Sequence, residues 1–169
     1  MRLDHSALGH LLGYGLAQAS IHADHVFEQA IALPLDLKKV EFTILVLVDT
    51  NHGVTAKRLS HDLALLPPNT SVILDRMEGR GLIRRVPHGT DKRSFLIELT
   101  TKGKTLTAQA RRIAADMERQ LRARLSPAEH AMLLELLHKV STPAPAASAA
   151  GHPAAAEERV QGARKRRSA

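Results

Sequence analysis

Leu66-Pro67-Pro68-Asn69 separates two short segments of helical periodicity, and no other feature restricts the fold of this chain as much. Proline lacks an amide hydrogen and fixes φ near −65°, so it is accepted in the first turn of a helix and breaks one further in. Two in succession end whatever helix arrives and can start a new one. On the near side, Thr55 is placed to cap a short helix that turns Ala56, Leu59 and Leu63 inward. On the far side, Thr70, Ile73, Leu74 and Met77 recur at helical spacing up to Gly79 or Gly81. Two short helices joined by a tight turn make a helix-turn-helix.

Leu82 to Val86 and Ser94 to Leu99 follow as alternating strands of an antiparallel hairpin, which adds a wing. Its tip holds Asp91, Lys92 and Arg93. Longer helices flank this lobe. Ala7 to Ala30 carries apolar residues such as Leu8, Leu11, Leu12, Leu16, Phe27 and Ala30 on one face. Asp36 is expected to cap the next helix, whose run from Val40 through Phe42, Ile44 and Leu45 to Val48 is apolar almost all round and so should be central; Asn51-His52-Gly53 breaks it. Thr100 and Gly103 open a long helix with Leu106, Ala110, Ile113, Met117 and Leu121 on one face. Ser126-Pro127-Ala128-Glu129 has the capping-box pattern and starts a last helix with Met132, Leu133, Leu136, Leu137 and Val140 facing in. The expected fold class is mainly α with a small β-hairpin wing.

Charge locates the partner. Of 24 Lys and Arg against 17 Asp and Glu, ten basic and five acidic residues fall between Thr55 and Lys104, whereas the other helical segments together carry nine and ten. A basic excess confined to the winged lobe favours a polyanion such as nucleic acid. Only three Phe and one Tyr are present, too few for stacking on single strands. The absence of cysteine excludes disulfides, zinc-cysteine sites and thiol sensing. Without a signal sequence or a long apolar run, the chain is read as cytoplasmic, with no membrane partner. From Ser141 the Ala/Pro-rich sequence ending in RKRR is expected to be disordered, either a nonspecific tether to DNA or a solvated end.

Three local motifs, SVILDRMEGRGLIRR (Ser71 to Arg85), DKR (Asp91 to Arg93) and LTTKG (Leu99 to Gly103), stand in the same order as in the MarR family of bacterial transcriptional regulators, which the chain resembles from about Ala7 to Val140. The resemblance implies a homodimer built by the first and last helices, each winged lobe reading one half of a pseudo-palindrome in double-stranded DNA. It divides the chain into a dimerisation helix (1–35), a winged DNA-binding lobe (36–104), C-terminal dimerisation helices (105–140) and a basic tail (141–169). It also implies a bacterial regulator working on the nucleoid, a repressor more than an activator. Two positions depart from the family pattern: Leu66 replaces a small hydroxylated cap, and Val72 stands where Arg is common.

If Thr70, Ile73, Leu74 and Met77 face the core, helical geometry turns Pro68, Asn69, Ser71, Val72, Asp75 and Arg76 outward. Asn69 can pair with an adenine edge, Ser71 with a base or phosphate, Val72 with a thymine methyl, and Arg76 with phosphate. The same face also suits a plain solvated helix. At the wing tip, Arg93 can enter a narrow minor groove, with Asp91 restricting its rotamers. The alternative there is an exposed ion pair that steadies the hairpin, worth ~0.2 to 1 kcal/mol. Arg84, Arg85 and Lys92 add phosphate contacts along that edge.

Tyr14, His22 and His25, with Phe42, are candidates for binding a small effector. In the resembled family, effectors are often aromatic carboxylates or phenolics and lodge between the dimerisation helices and the winged lobe. His22 and His25 are also spaced as zinc ligands sometimes are, but no third ligand is visible, so neither a metal nor a cofactor is expected. No nucleophile-base pattern or phosphate loop marks an enzyme. A non-regulatory architectural DNA-binding protein and a metal-responsive regulator are the alternative functions.

Overall fold

The computed structural model describes residues 3–87 and 94–142, and the chain divides into two compact units, Met1–Arg124 and Leu125–Ala169. In the first unit a 3₁₀ turn at Ser6–Leu8 precedes helix α1 (Leu12–Phe27), which runs through a π-helical turn at Glu28–Ala32 into the short α2 (Leu33–Leu35). The first helical element therefore starts later than Ala7 and ends beyond Ala30. Leu11 is extended at its start, and Pro34 lies within its last turns.

Asp36 does not cap the following helix. Its backbone is left-handed (φ 46°, ψ 51°), a conformation Asp tolerates better than most residues, and it ends α2. Helix α3 (Lys39–Thr50) begins after Lys38, whose N–H donates to Glu41 Oε2 at 2.9 Å. Ile44, Leu45 and Val48 of α3 are buried, Phe42 packs its ring against Phe27, and α6 (Thr101–Leu121) and the wing lie against the same helix. The apolar run is central, as its composition predicts.

Thr55 caps α4 (Ala56–Asp62), its Oγ1 accepting from the N–H of Arg58 at 3.3 Å. Helix α5 (Pro67–Gly79) starts at the double proline with no side-chain cap, and Ser60 Oγ joins α4 to it through Thr70 Oγ1 at 2.9 Å. Strands β1 (Ile83–Pro87) and β2 (Phe95–Leu99) pair antiparallel, from Ile83 opposite Leu99 to Pro87 opposite Phe95. Each starts one residue later than the alternation suggests. Leu82 is instead engaged at the end of α5, where its N–H reaches Met77 O at 3.0 Å.

The LTTKG motif has a steric explanation. Thr100 caps α6, accepting from the N–H of Gly103 at 3.0 Å and donating to Gly81 O at 2.6 Å. This seats the start of α6 against the chain entering the wing. A Cβ on Gly103 would stand 2.0 Å from the carbonyl oxygen of Leu82, so no side chain fits.

The leading half of the first apolar stripe is uncovered by the described residues of its own unit: Leu8, Leu11, Leu12 and Leu16 are all exposed. In the second unit the described element is α7 (Pro127–Ser141), with the expected capping box of Ser126 and Glu129. Met132, Leu133, Leu136 and Val140, expected to face in, are exposed, while Leu137 is half-buried. Periodicity identifies an apolar face but not which molecule covers it. Among the described residues no helix is long and apolar enough to cross a membrane.

Candidate nucleic-acid interface

Helix α5 presents two unlike faces. Thr70, Leu74 and Met77 are buried and Ile73 is half-buried, so Pro68, Asn69, Ser71 and Val72 are turned to solvent, Val72 at 67% exposure. An exposed branched apolar residue beside an amide and a hydroxyl is a poor solvated surface but suits a groove that offers methyl groups and base edges. Ser71 Oγ donates to Pro67 O at 3.2 Å and remains exposed. Lys57 on α4 lines a cleft of about 430 Å³ together with Pro67 and Ser71, which places a cation at the edge of this face.

Arg84, Arg85 and Arg76 of the lobe are held by acids of the same chain, whereas Arg58 of α4 donates to the carbonyls of His52 and Gly53. Arg84 donates from Nε and Nη2 to Glu98 Oε2 across the hairpin, at 3.1 and 2.7 Å. Arg85 reaches Glu78 at 2.6 Å and Asp75 at 2.5 Å, tying the wing to α5. Arg76, outward by periodicity, directs Nε to Glu41 at 3.3 Å. Each guanidinium thus fixes one element against another. Arg84 is the most exposed of the three, at 65%. Asp91, Lys92 and Arg93 lie outside the described residues.

The effector candidates each have their own surroundings. Tyr14 is half-buried and hydrogen-bonds through its hydroxyl to His5 Nδ1; His22 and His25 are exposed on α1; Phe42 is half-buried against Phe27. Among the described residues no three His, Asp or Glu side chains are grouped so as to hold a metal. A separate cleft of about 390 Å³ opens where α2, the end of α5 and α6 meet, with Leu35, Leu82 and Leu106 as apolar walls and Arg80 and Lys102 at its edge.

Pattern reading missed Glu41, which is 1% exposed and engages both Arg76 and Arg80. Two signals for it are in the sequence: a single acid early in an otherwise apolar helix, and two arginines one turn apart on the helix after the double proline.

Comparison with known proteins agrees with this geometry. The model of the MarR family matches residues 37–95, from the start of α3 to the return strand of the wing. The multiple antibiotic resistance protein MarR of Escherichia coli (strain K12) is 31% identical over 108 residues, 63% of this chain and 75% of that protein. Among solved structures, the transcriptional repressor CouR bound to a 23-mer DNA duplex superposes with a TM-score of 0.78 at 31% identity, over 84% of this chain and all of that one. The same repressor bound to p-coumaroyl-CoA gives 0.75 at 31% identity, over 85% and 100%.

Proposed function

Because the chain belongs to the MarR family of DNA-binding transcriptional regulators, we propose that it acts as a homodimeric repressor on a pseudo-palindromic operator and that a small anionic ligand, aromatic or amphipathic, releases it. The observation that carries this reading is the exposed run Pro68, Asn69, Ser71 and Val72, on a helix whose other face is locked into the core. Asn69 reads an adenine edge, Ser71 a base or phosphate, and Val72 a thymine methyl. Arg84 and Lys92 take phosphates, with Arg85 in a lesser share because two acids already hold it. Arg93 enters the minor groove and Asp91 limits its rotamers.

The dimer reading is supported by the apolar residues that a single chain leaves exposed, Leu8, Leu11, Leu12 and Leu16 at one end of the sequence and Met132, Leu133, Leu136 and Val140 at the other. Each is about half exposed, so completing its burial contributes about half of the ~1.5 to 3 kcal/mol of a full transfer, and the residues of two protomers together reach the size of the ~4 to 15 kcal/mol cost of association. The effector reading is supported by likeness to a repressor solved with an acyl thioester. Tyr14, His22 and His25 of α1 and Phe42 of α3, which stand in separate surroundings, are the side chains proposed to meet such a molecule.

Sequencing of genomic fragments retained by the purified full chain tests the reading. Retention of one or a few palindromes, and their release by a member of a panel of aromatic acids, phenols and acyl thioesters, is the expected result. Uniform coating would make the protein architectural, and retention that no panel member relieves would remove the ligand.

A further inference from the structure

We propose that Glu41, with the two arginines it holds, is a positioning joint that sets the recognition helix α5 at its DNA-reading pitch, so that Arg76 serves specificity by placing the helix and not by touching phosphate. The inference rests on the DNA-reading function proposed above.

The Glu41 carboxylate is almost fully buried; it accepts hydrogen bonds from the Lys38 N–H at 2.9 Å and from Arg80 Nη1 at 3.4 Å, and it forms an ion pair with Arg76, whose Nε lies 3.3 Å away. One side chain thereby fastens the first turn of α3, the central helix, to Arg76 in the last turn of α5 and to Arg80, the residue that closes its C-terminal end. A single contact would leave α5 free to roll about it; two along one face fix both its rotation and its position along the axis. Asp36 adds a second carboxylate to the same guanidiniums, 3.2 Å from Arg80 and 4.0 Å from Arg76, from the left-handed residue that ends α2. Arg76 therefore directs two of its nitrogens at acids of α3 and the α2 end.

Stability alone does not account for this arrangement. Replacing a buried ion pair by apolar side chains of similar volume is often neutral or stabilising. What charged groups add is direction, because a guanidinium meets a carboxylate in few orientations whereas apolar contacts slide. The exposed reading residues lie on the same helix, between the double proline and this clamp, so rolling α5 would move Asn69, Ser71 and Val72 together relative to the base edges.

The test uses the full-length chain, the duplex it selects from a random library, and a scrambled duplex of equal length, at a temperature where every variant is folded by circular dichroism. Arg76 is partly exposed, and Arg76→Gln leaves Glu41 with Arg80 and the Lys38 amide, so this variant keeps the experiment decisive if Glu41→Gln does not fold. For both variants, the ratio of affinities for selected over scrambled duplex should fall about tenfold, the size of one misplaced base contact, with the salt slope unchanged. Asp36→Asn, which keeps a residue tolerant of the left-handed backbone, should lower the ratio less. If Arg76→Gln flattens the salt slope by about one and weakens both duplexes alike, Arg76 is a phosphate contact and the proposal is wrong. Lower melting temperatures with an unchanged ratio would make the cluster purely structural, which also overturns it. A wild-type chain that selects no duplex would remove the DNA-reading function itself, and the joint with it; selection by the wild type with an unchanged ratio in the variants would remove the joint alone.

Discussion

Asn69 and Ser71 are exposed on α5, whereas Arg76, Arg84 and Arg85 are bound to acids of the same chain. Under the proposed function, sequence-specific energy accordingly falls to short polar side chains and, by expectation alone, to the wing tip, while Arg84 and Arg85 also tie elements together. Asn69→Ala and Arg93→Ala are each expected to cost ~1 to 3 kcal/mol of specific binding with an unchanged melting temperature, and Asp91→Ala less, read by fluorescence anisotropy beside thermal melts. The outward face of α5 was legible because Thr70, Leu74 and Met77 declare the inward one. The fate of the arginines was not. An Arg is assigned to solvent or phosphate by its position on its own helix, whereas the partners of Arg76 and Arg85 come from α3 or from residues seven and ten positions away, which one helix's periodicity does not bring together.

The elements themselves were largely readable, because each boundary has a local chemical cause: Thr55, Thr100 and Ser126 accept the amide hydrogens their positions predict, and the double proline starts α5. Asp36 misled for the same local reason. A short acid before a helix looks like a cap, and only its left-handed backbone shows that it ends the preceding one. The LTTKG motif gives a sharp test of packing. Gly103→Ala must displace the Leu82 carbonyl and should cost ~1 to 3 kcal/mol in urea unfolding, whereas Gly79→Ala, with open space around its Cβ position, should be neutral or stabilise by up to ~1 kcal/mol. The α7 capping box adds a pH dependence. The amide and hydroxyl of Ser126 hold the Glu129 carboxyl below the ordinary glutamate range. A lowered folded value means that its stabilisation is complete above the ordinary value and is lost as pH falls through the lowered one. Acid titration followed by circular dichroism should therefore show a loss of helix below the ordinary range that Glu129→Gln removes.

For the whole molecule, the basic excess and the longest exposed apolar stripes fall on different stretches of sequence. The basic excess lies between Thr55 and Lys104, where Leu66, Val72 and Phe95 are exposed singly, whereas the exposed apolar stripes lie in the first helical region and in α7. Such a division suits a molecule that grips DNA with one part and itself with another. The tail adds five basic and two acidic residues, so deleting residues 143–169 should flatten the salt dependence of binding while leaving the selected sequence unchanged; a changed consensus would give the tail a part in reading. The central claim, that two copies read two halves of one site, is tested most directly by sedimentation of the full chain on a labelled duplex carrying its selected palindrome. The expected result is a dimer free in solution, one dimer per duplex with half-sites about one helical turn (~10 bp) apart, and loss of that complex when ~5 bp inserted between the half-sites turn them to opposite faces. A monomer that binds with undiminished affinity, or binding indifferent to the insertion, would contradict it.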